Sequence, residues 1–229
     1  MVSGFYAGRA KTFRPGPEGA SVAQDFDTIA TLERFCAVVS ALDPWYARLM
    51  IFTKTDVNDV WIVDLEMRAD DRGFFARSFD ADEFEAHGCK RLILQANVSY
   101  NRTRGTLRGM HMQVDPADES KLVRCTKGSI YDAIVDMRPE SSTYMRHVGV
   151  ELTADNHRSL YVPPMFAHGF QTLEDDVEVT YQVGDVYRPG HERGFLYDDP
   201  AFGIDWPLPV SVISDKDAAW EPLEGVGAR

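Results

Sequence analysis

Short runs of strand-forming residues recur from residue 61 to residue 183, and they limit the folds open to this chain. The runs span residues 61–65, 92–98, 121–126, 129–136, 147–152, 159–162 and 177–183. Gly, Pro, Asn or Asp stands between most of them, and these residues favour turns. Many short strands at close spacing are typical of an antiparallel sandwich or barrel. We therefore predict a mainly β domain over residues 50–229.

Residues 1–49 differ from this domain and are predicted to form a helical N-terminal extension. They carry five basic and five acidic side chains, so the net charge of −12 comes entirely from residues 50–229. Apolar residues recur at helical spacing from Phe26 to Leu42, and Pro44 would end that helix. Inside the β domain, Asp80 and Glu83 form a capping-box pattern that predicts one short helix before Gly88.

The acidic balance and the sparse cysteines restrict the partners and the compartment. A net charge of −12 disfavours nucleic acid and anionic membranes, although a local Arg and Lys cluster can still hold a small diphosphate. Residues 1–20 lack the apolar core of a signal peptide, and no apolar run is long enough to span a membrane. Cys36, Cys89 and Cys125 do not form the even set of a disulfide framework. We expect a cytoplasmic protein with buried thiols.

Three predicted strands place a titratable side chain on an otherwise apolar face. Because side chains alternate along a strand, Asp132 lies between isoleucines, Lys121 beside a valine and a cysteine, and Tyr181 among valines. Each alone fits an ordinary buried or edge residue, but the three together indicate a polar pocket inside a barrel. His111 and His168 stand near Gly or Pro and are predicted in turn-like contexts. The other four histidines are predicted at the surface.

Short motifs in a fixed order resemble the dTDP-4-dehydrorhamnose 3,5-epimerase family over about residues 50–222. Residues 105–113, Gly-Thr-Leu-Arg-Gly-Met-His-Met-Gln, resemble its central signature. The other motifs are residues 71–75, 95–99, 121–125, 132–136, 166–170, Tyr181, 199–200, 203–207 and 214–217. The resemblance implies a cupin-type jelly-roll β-barrel with a few short helices. It also implies a homodimer and the absence of a metal or organic cofactor.

The resemblance further implies a nucleotide-diphosphate sugar as substrate, with a 4-keto-6-deoxyhexose as the sugar. Its C4 carbonyl acidifies the protons at C3 and C5, so that a base can form an enolate and an acid can return the proton to the opposite face. On the family pattern His111 is the base, Asp217 its partner, Lys121 the cation that stabilises the enolate oxygen, and Tyr181 the acid.

The substrate-binding residues implied by the same resemblance are Arg72, Gln95, Asn97, Arg108, His168 and Asp132. The two arginines would contact the diphosphate, and the others would line or support the pocket. Arg77 and the pair Val186–Tyr187 depart from the residues common in the family near the nucleotide end. The identity of the base is therefore open, as is the choice between C3, C5 or both.

Two alternatives come from other classes of protein. A metal-dependent cupin, a dioxygenase or sugar isomerase, could use His111, Glu119 and His168 as ligands. However, the first motif has one histidine where metal cupins usually have two, and metal analysis of the purified protein would decide. A non-catalytic sugar-binding cupin is the second alternative. Binding alone would not require an acid and a base on opposite faces of the sugar, and a deuterium wash-in assay separates these two possibilities.

The family motifs all lie after residue 49, and Met50–Thr55 resembles a natural start of the family. We therefore predict that a protein beginning at Met50 is soluble and retains the activity of the full chain. The competing possibility is that the 26–42 helix docks on the barrel, where each buried apolar side chain would contribute about 1.5–3 kcal/mol before ordering entropy is subtracted. Comparing solubility and turnover of the two proteins checks this. An insoluble or inactive 50–229 protein would show that the helix belongs to the fold.

Overall fold

A computed structural model describes residues 50–223 and shows a β-sandwich with two short helices. The strands are β1 (Met50–Lys54), β2 (Trp61–Leu65), β3 (Arg68–Asp70), β4 (Gly73–Phe75), β5 (Gln95–Asn101), β6 (Leu107–Gln113), β7 (Lys121–Lys127), β8 (Ser129–Asp136), β9 (His147–Thr153), β10 (Ser159–Val162), β11 (Phe166–Thr172), β12 (Val177–Val183) and β13 (Glu192–Gly194). The helices are α1 (Ala81–Ala86) and α2 (Asp215–Ala218). Residues 1–49, including the predicted helix at 26–42, lie outside the described residues.

Two antiparallel sheets form the sandwich. One has six strands in the order β1-β2-β10-β7-β12-β5, and the other has five in the order β13-β6-β11-β8-β9. Side chains from both sheets meet in one apolar cluster, to which β7 and β12 contribute Val123 and Val179, and β8 and β11 contribute Ile134 and Phe170. The fold is mainly β, as the sequence predicted, and has the cupin-type jelly-roll architecture.

Most of the predicted strands form as expected. The runs 61–65, 129–136, 159–162 and 177–183 coincide with β2, β8, β10 and β12. The run 92–98 is shifted, because β5 covers Gln95–Asn101 and pairs with β12 along that length. The interpretation of His111 and His168 as turn residues is wrong. They lie on β6 and β11, where His111 and His168 are directly paired across the two strands.

Helix α1 covers part of the outer face of the six-stranded sheet. The Asp80 carboxylate caps it by accepting hydrogen bonds from the backbone N–H groups of Asp82 and Glu83, as the sequence predicted for its start. Phe84 is the buried residue of the helix and packs in a cluster that includes Met50 and Tyr161. Between residues 50 and 223, neither helix has the length and apolar character needed to cross a membrane.

Two glycines bring β6 and β11 close together at the level of the paired histidines. Gly109 has a φ of +110°, a backbone conformation that side chains disfavour. A Cβ atom at Gly109 would lie 2.6 Å from the Cα of Gly169 and 2.6 Å from the carbonyl oxygen of His168. Since both of these are backbone atoms, they cannot move aside without separating the strands. The close approach therefore depends on glycine at residue 109.

We predict that Gly109→Ala lowers the free energy of unfolding by about 2–4 kcal/mol, because it combines overpacking with an unfavourable φ. Gly73→Ala is the matched control. Gly73 has a φ of +125°, but a Cβ atom added there would meet no other atom within 4 Å, so only the backbone cost of about 1 kcal/mol should remain. Denaturant unfolding of both variants measures the difference. Equal losses would show that the strand contact does not contribute.

Candidate functional site

Two adjacent cavities open between the sheets. The larger has a volume of about 460 Å³ and is lined by residues that include Arg108, His111, Lys121, His168, Phe170, Tyr181 and Asp217. The smaller has a volume of about 310 Å³ and is lined by residues that include Gln95, Asn97, His111, Gln113, Glu119, Lys121, Tyr181, Tyr187 and Glu192. Three predicted catalytic residues line both cavities, and these are His111, Lys121 and Tyr181. They mark the junction of the two spaces.

The first histidine of the site is paired with a buried carboxylate. Nε2 of His111 lies 2.6 Å from Oδ1 of Asp217, and Asp217 is 4% exposed. Its other oxygen accepts the backbone N–H of Gly109 at 3.2 Å. Ser214 caps the start of α2 and fixes the backbone of Asp217, because its hydroxyl accepts the Asp217 N–H at 3.1 Å. With Nε2 donating to the carboxylate, the lone pair of a neutral ring is on Nδ1.

The second histidine has the same kind of partner. Nε2 of His168 lies 2.7 Å from Oδ1 of Asp132, which is fully buried on β8. Asp132 therefore faces the interior, as alternation along its strand predicted, but it supports His168 from behind and does not line either cavity. Because His111 and His168 are cross-strand neighbours, the two histidine–carboxylate pairs lie side by side on the five-stranded sheet.

Lys121 enters the site from the opposite sheet. It begins β7, its side chain is 12% exposed, and its ammonium donates to Oε2 of Glu119, whose side chain is 11% exposed. Oε1 of Glu119 accepts a second hydrogen bond, at 3.0 Å, from the side-chain amide of Gln113. A nearly buried ammonium is thus paired with a nearly buried carboxylate, as charges in a protein interior require.

Tyr181 is on β12, next to β7 in the six-stranded sheet. Burial raises the pKa of its phenol above the ordinary value. The cationic charge of Arg108 opposes that rise in pKa, and the negative charge of Glu119 adds to it. The phenol therefore keeps its proton through the neutral range, which is the state of a proton donor.

Arg108 adds a second cationic side chain, besides Lys121, to the lining of the larger cavity. It is exposed on β6, and its Nε donates to the side-chain oxygen of the buried Asn101 at 2.7 Å. That hydrogen bond leaves the two terminal NH₂ groups of the guanidinium for a ligand, a geometry suited to phosphate oxygens.

The remaining residues predicted to contact the substrate lie at the edge of the smaller cavity or outside both cavities. Gln95 and Asn97 are exposed on the edge strand β5 and line the smaller cavity, where the Gln95 side-chain oxygen accepts the Tyr187 N–H at 3.2 Å. Arg72 lies in the turn between β3 and β4, pairs with Asp70, and has a side chain that is 88% exposed. Within the single chain, Arg72 lines neither of the two cavities.

The sequence interpretation did not find the pairing of Glu119 with Lys121. The signal was their spacing, since residues two apart on an extended chain share a face. Glu119 was instead considered a possible metal ligand together with His111 and His168. These three do not form a donor cluster, and no group of three or more His, Cys, Asp or Glu residues between 50 and 223 is arranged to hold a metal ion.

Known proteins of one family match the chain over most of its length. The family profile described as dTDP-4-dehydrorhamnose 3,5-epimerase matches residues 54–225. The chain is 43% identical over 165 residues to the dTDP-4-dehydrorhamnose 3,5-epimerase of Shigella flexneri, a match that covers 72% of this chain and 91% of the relative.

Solved structures of 3,5-epimerases superpose on most of the chain. One is the enzyme from Bacillus anthracis with TDP and PPi bound, which has a TM-score of 0.73, 40% identity, and coverage of 76% of this chain and 99% of that one. Another is the dTDP-6-deoxy-D-glucose-3,5-epimerase from Legionella pneumophila in complex with dTDP-4-keto-L-rhamnose. It has a TM-score of 0.71, 36% identity, and coverage of 78% of this chain and 95% of that one.

Proposed function

Because the chain belongs to the dTDP-4-dehydrorhamnose 3,5-epimerase family, we propose that it is an isomerase that inverts C3, C5 or both in a nucleotide-linked 4-keto-6-deoxyhexose. The substrate is of the dTDP-4-dehydro-6-deoxyglucose type, and the reaction supplies a deoxysugar precursor for polysaccharides. One observation carries this proposal. His111 projects from the five-stranded sheet, whereas Lys121 and Tyr181 project from the six-stranded sheet, and all three line the same two cavities.

Inversion at carbon requires that a proton leaves one face of the sugar and returns to the other. A ring held between two sheets meets a different set of groups on each face. His111 removes the proton from C3 or C5 with its Nδ1 lone pair, and Asp217 stabilises the imidazolium that forms. Tyr181 gives a proton to the opposite face. Electrons from the broken C–H bond flow into the C4 carbonyl, and the resulting oxyanion lies beside the Lys121 ammonium.

The nucleotide end of the substrate is assigned by charge. Arg108 contacts the diphosphate, since its guanidinium is open to solvent on one side and anchored by Asn101 on the other. Gln95 and Asn97 line the space beyond the sugar. His168, held by Asp132, contributes a fixed imidazole to the wall beside His111. Arg72 is proposed as a further diphosphate contact, which would require that a second subunit brings it to the cavity.

Deuterium exchange in heavy water tests the roles. We predict that His111→Ala lowers solvent exchange at both sugar positions by about 100-fold or more, the usual contribution of a general base. Lys121→Met should reduce turnover by a similar factor, because the enolate oxygen loses its cation. Tyr181→Phe should separate the steps, so that exchange with retention continues while epimer formation falls. NMR of the sugar protons measures both. Tyr144→Phe, an exposed tyrosine outside the site, is the control.

Contrary results would remove individual residues from the mechanism. Full exchange in His111→Ala would show that another group is the base. Equal loss of exchange and inversion in Tyr181→Phe, or loss of neither, would contradict its role as an acid on the far face. A wild-type protein that exchanges no sugar proton with any nucleotide 4-keto sugar would contradict the epimerase itself and favour a binding protein.

We also propose that the protein is a cytoplasmic homodimer. Strand β5 is an edge strand whose Val98 is 66% exposed and whose Tyr100 is 47% exposed. Phe75 on the β3–β4 hairpin is 61% exposed. Exposed apolar groups beside a sheet edge are typical of surfaces that bind another chain.

The two described thiols, Cys89 and Cys125, are buried and free, which fits a reducing compartment. Cell fractionation checks the compartment.

Light scattering of the purified protein checks the dimer. We predict that the wild-type protein has twice the mass of one chain and that Val98→Asp lowers the mass to that of one chain, because it places a charge on the apolar edge. Tyr144→Asp is the matched control, since Tyr144 is 43% exposed on the loop between β8 and β9, away from this edge. A monomeric wild-type protein, or a dimer that survives Val98→Asp, would contradict this interface.

A further inference from the structure

Glu119 lines the smaller cavity beside Lys121, and the reaction described above gives it no part. We propose that Glu119 is a positioning residue for that reaction, on which this inference rests. Its carboxylate holds the Lys121 ammonium at the junction of the two cavities, and its negative charge acts on the Tyr181 phenol, which lines the same cavity. Glu119 touches neither sugar nor diphosphate in this role and acts through its two neighbours.

The hydrogen bonds of Glu119 fix the carboxylate in one orientation. Oε2 accepts from the Lys121 ammonium, and Oε1 accepts from the Gln113 amide at 3.0 Å. Gln113 is 4% exposed, and its own side-chain oxygen accepts the backbone N–H of Arg188 at 2.8 Å. A continuous series of bonds thus runs from the backbone at Arg188 through Gln113 and Glu119 to Lys121. The Gln113 amide also donates to the carbonyl oxygen of Val186 at 3.5 Å, which further fixes its position.

Lys121 needs such an anchor for two physical reasons. An ammonium that is largely shielded from water is unfavourable unless a carboxylate accompanies it. In addition, a lysine side chain is a flexible four-carbon stem with a point charge at its end, so a single hydrogen-bond partner decides where that charge rests. With Glu119 in place, the ammonium charge of Lys121 lies at the wall of the smaller cavity, which His111 and Tyr181 also line. Without it, the ammonium is free to turn toward bulk water or toward another acid.

The effect on Tyr181 is electrostatic. Burial raises the pKa of the phenol, Arg108 lowers it, and Glu119 raises it. The charged and titratable groups that line the cavities around Tyr181 are Arg108 and His111 from β6, Lys121 from β7, His168 from β11, Glu192 from β13, Asp217 from α2, and Tyr187. Glu119 also lines the smaller cavity, and it is the acid whose charge raises the pKa of the phenol. Removing that charge therefore favours the phenolate.

The test is Glu119→Gln, which keeps the size of the side chain and removes its charge. We expect kcat to fall about 10–100-fold, as for loss of one preorganised electrostatic group, while KM changes less than about threefold, because Arg108 still binds the diphosphate. The alkaline limb of the pH profile should move to lower pH. The Tyr181 phenol, a proton-bearing form on which the proposed activity depends, loses a negative charge that raises its pKa. Glu151→Gln, an exposed residue on β9, is the control.

A second measurement needs no substrate. Tyrosinate absorbance is titrated in the wild-type protein and in Tyr181→Phe, and the difference gives the ionisation of Tyr181. The same pair is then compared in the Glu119→Gln background. We expect the difference curve to move to lower pH there and to stay in place in Glu151→Gln. This separates the two hypotheses, since a wild-type protein without epimerase activity would contradict the proposed function while the titration still tests the influence of Glu119.

Glu119→Asp covers the case in which the glutamine variant does not fold. It keeps the charge and shortens the reach, so we expect a lower kcat with an alkaline limb and a Tyr181 titration close to those of the wild type. An alkaline limb and a Tyr181 titration that stay unchanged in Glu119→Gln would overturn the inference, whatever the loss of kcat. The same holds if Glu119→Asp and Glu119→Gln have the same pH profile.

Discussion

Strands β6 and β11 approach each other so closely at Gly109 and Gly169 that no side chain fits between them, and the site depends on this contact. A Cβ atom on Gly109 would meet backbone atoms of β11 at 2.6 Å. Gly109 also donates its N–H to Asp217, which in turn orients His111. One glycine therefore sets the distance between two strands and supplies a hydrogen bond to the carboxylate behind the proposed base.

The second constraint is that charges between the sheets must be partnered. The interior of the sandwich holds two histidine–carboxylate pairs and one lysine–glutamate pair, and the described carboxylates in them are at most 11% exposed on their side chains. Desolvation would make each carboxylate costly alone, so each has a donor within hydrogen-bond distance. This pairing stabilises the fold only modestly compared with apolar packing. Its main consequence is that the polar groups of the cavity have defined positions.

The sequence predicted the parts of this arrangement that follow from local patterns. It did not predict the parts that depend on contacts between residues far apart in the chain. Alternation along single strands placed Asp132, Lys121 and Tyr181 on interior faces, because that pattern is local. The strand containing His111 was missed, since Gly109 within it resembles a turn residue, and only the pairing with β11 shows why a glycine is there. The link between Asp217 and His111 joins residues 106 positions apart and came only from the family resemblance. No local pattern contains information about a contact of that kind.

Tyr181 shows why a phenol suits the proposed acid in this environment. A carboxylic acid at this place would need a strongly raised pKa to keep its proton at neutral pH, whereas a phenol, with an ordinary pKa of about 10, already keeps it. Burial and Glu119 raise that pKa further, and Arg108 opposes the rise. The same arginine is the proposed contact for the diphosphate. In the proposed reaction, a bound diphosphate would partly neutralise Arg108 and so strengthen the hold of Tyr181 on its proton, while the enolate proposed to form next to Lys121 would draw that proton toward the sugar. In the proposed reaction, the acidity of Tyr181 is therefore set jointly by the protein and by the substrate.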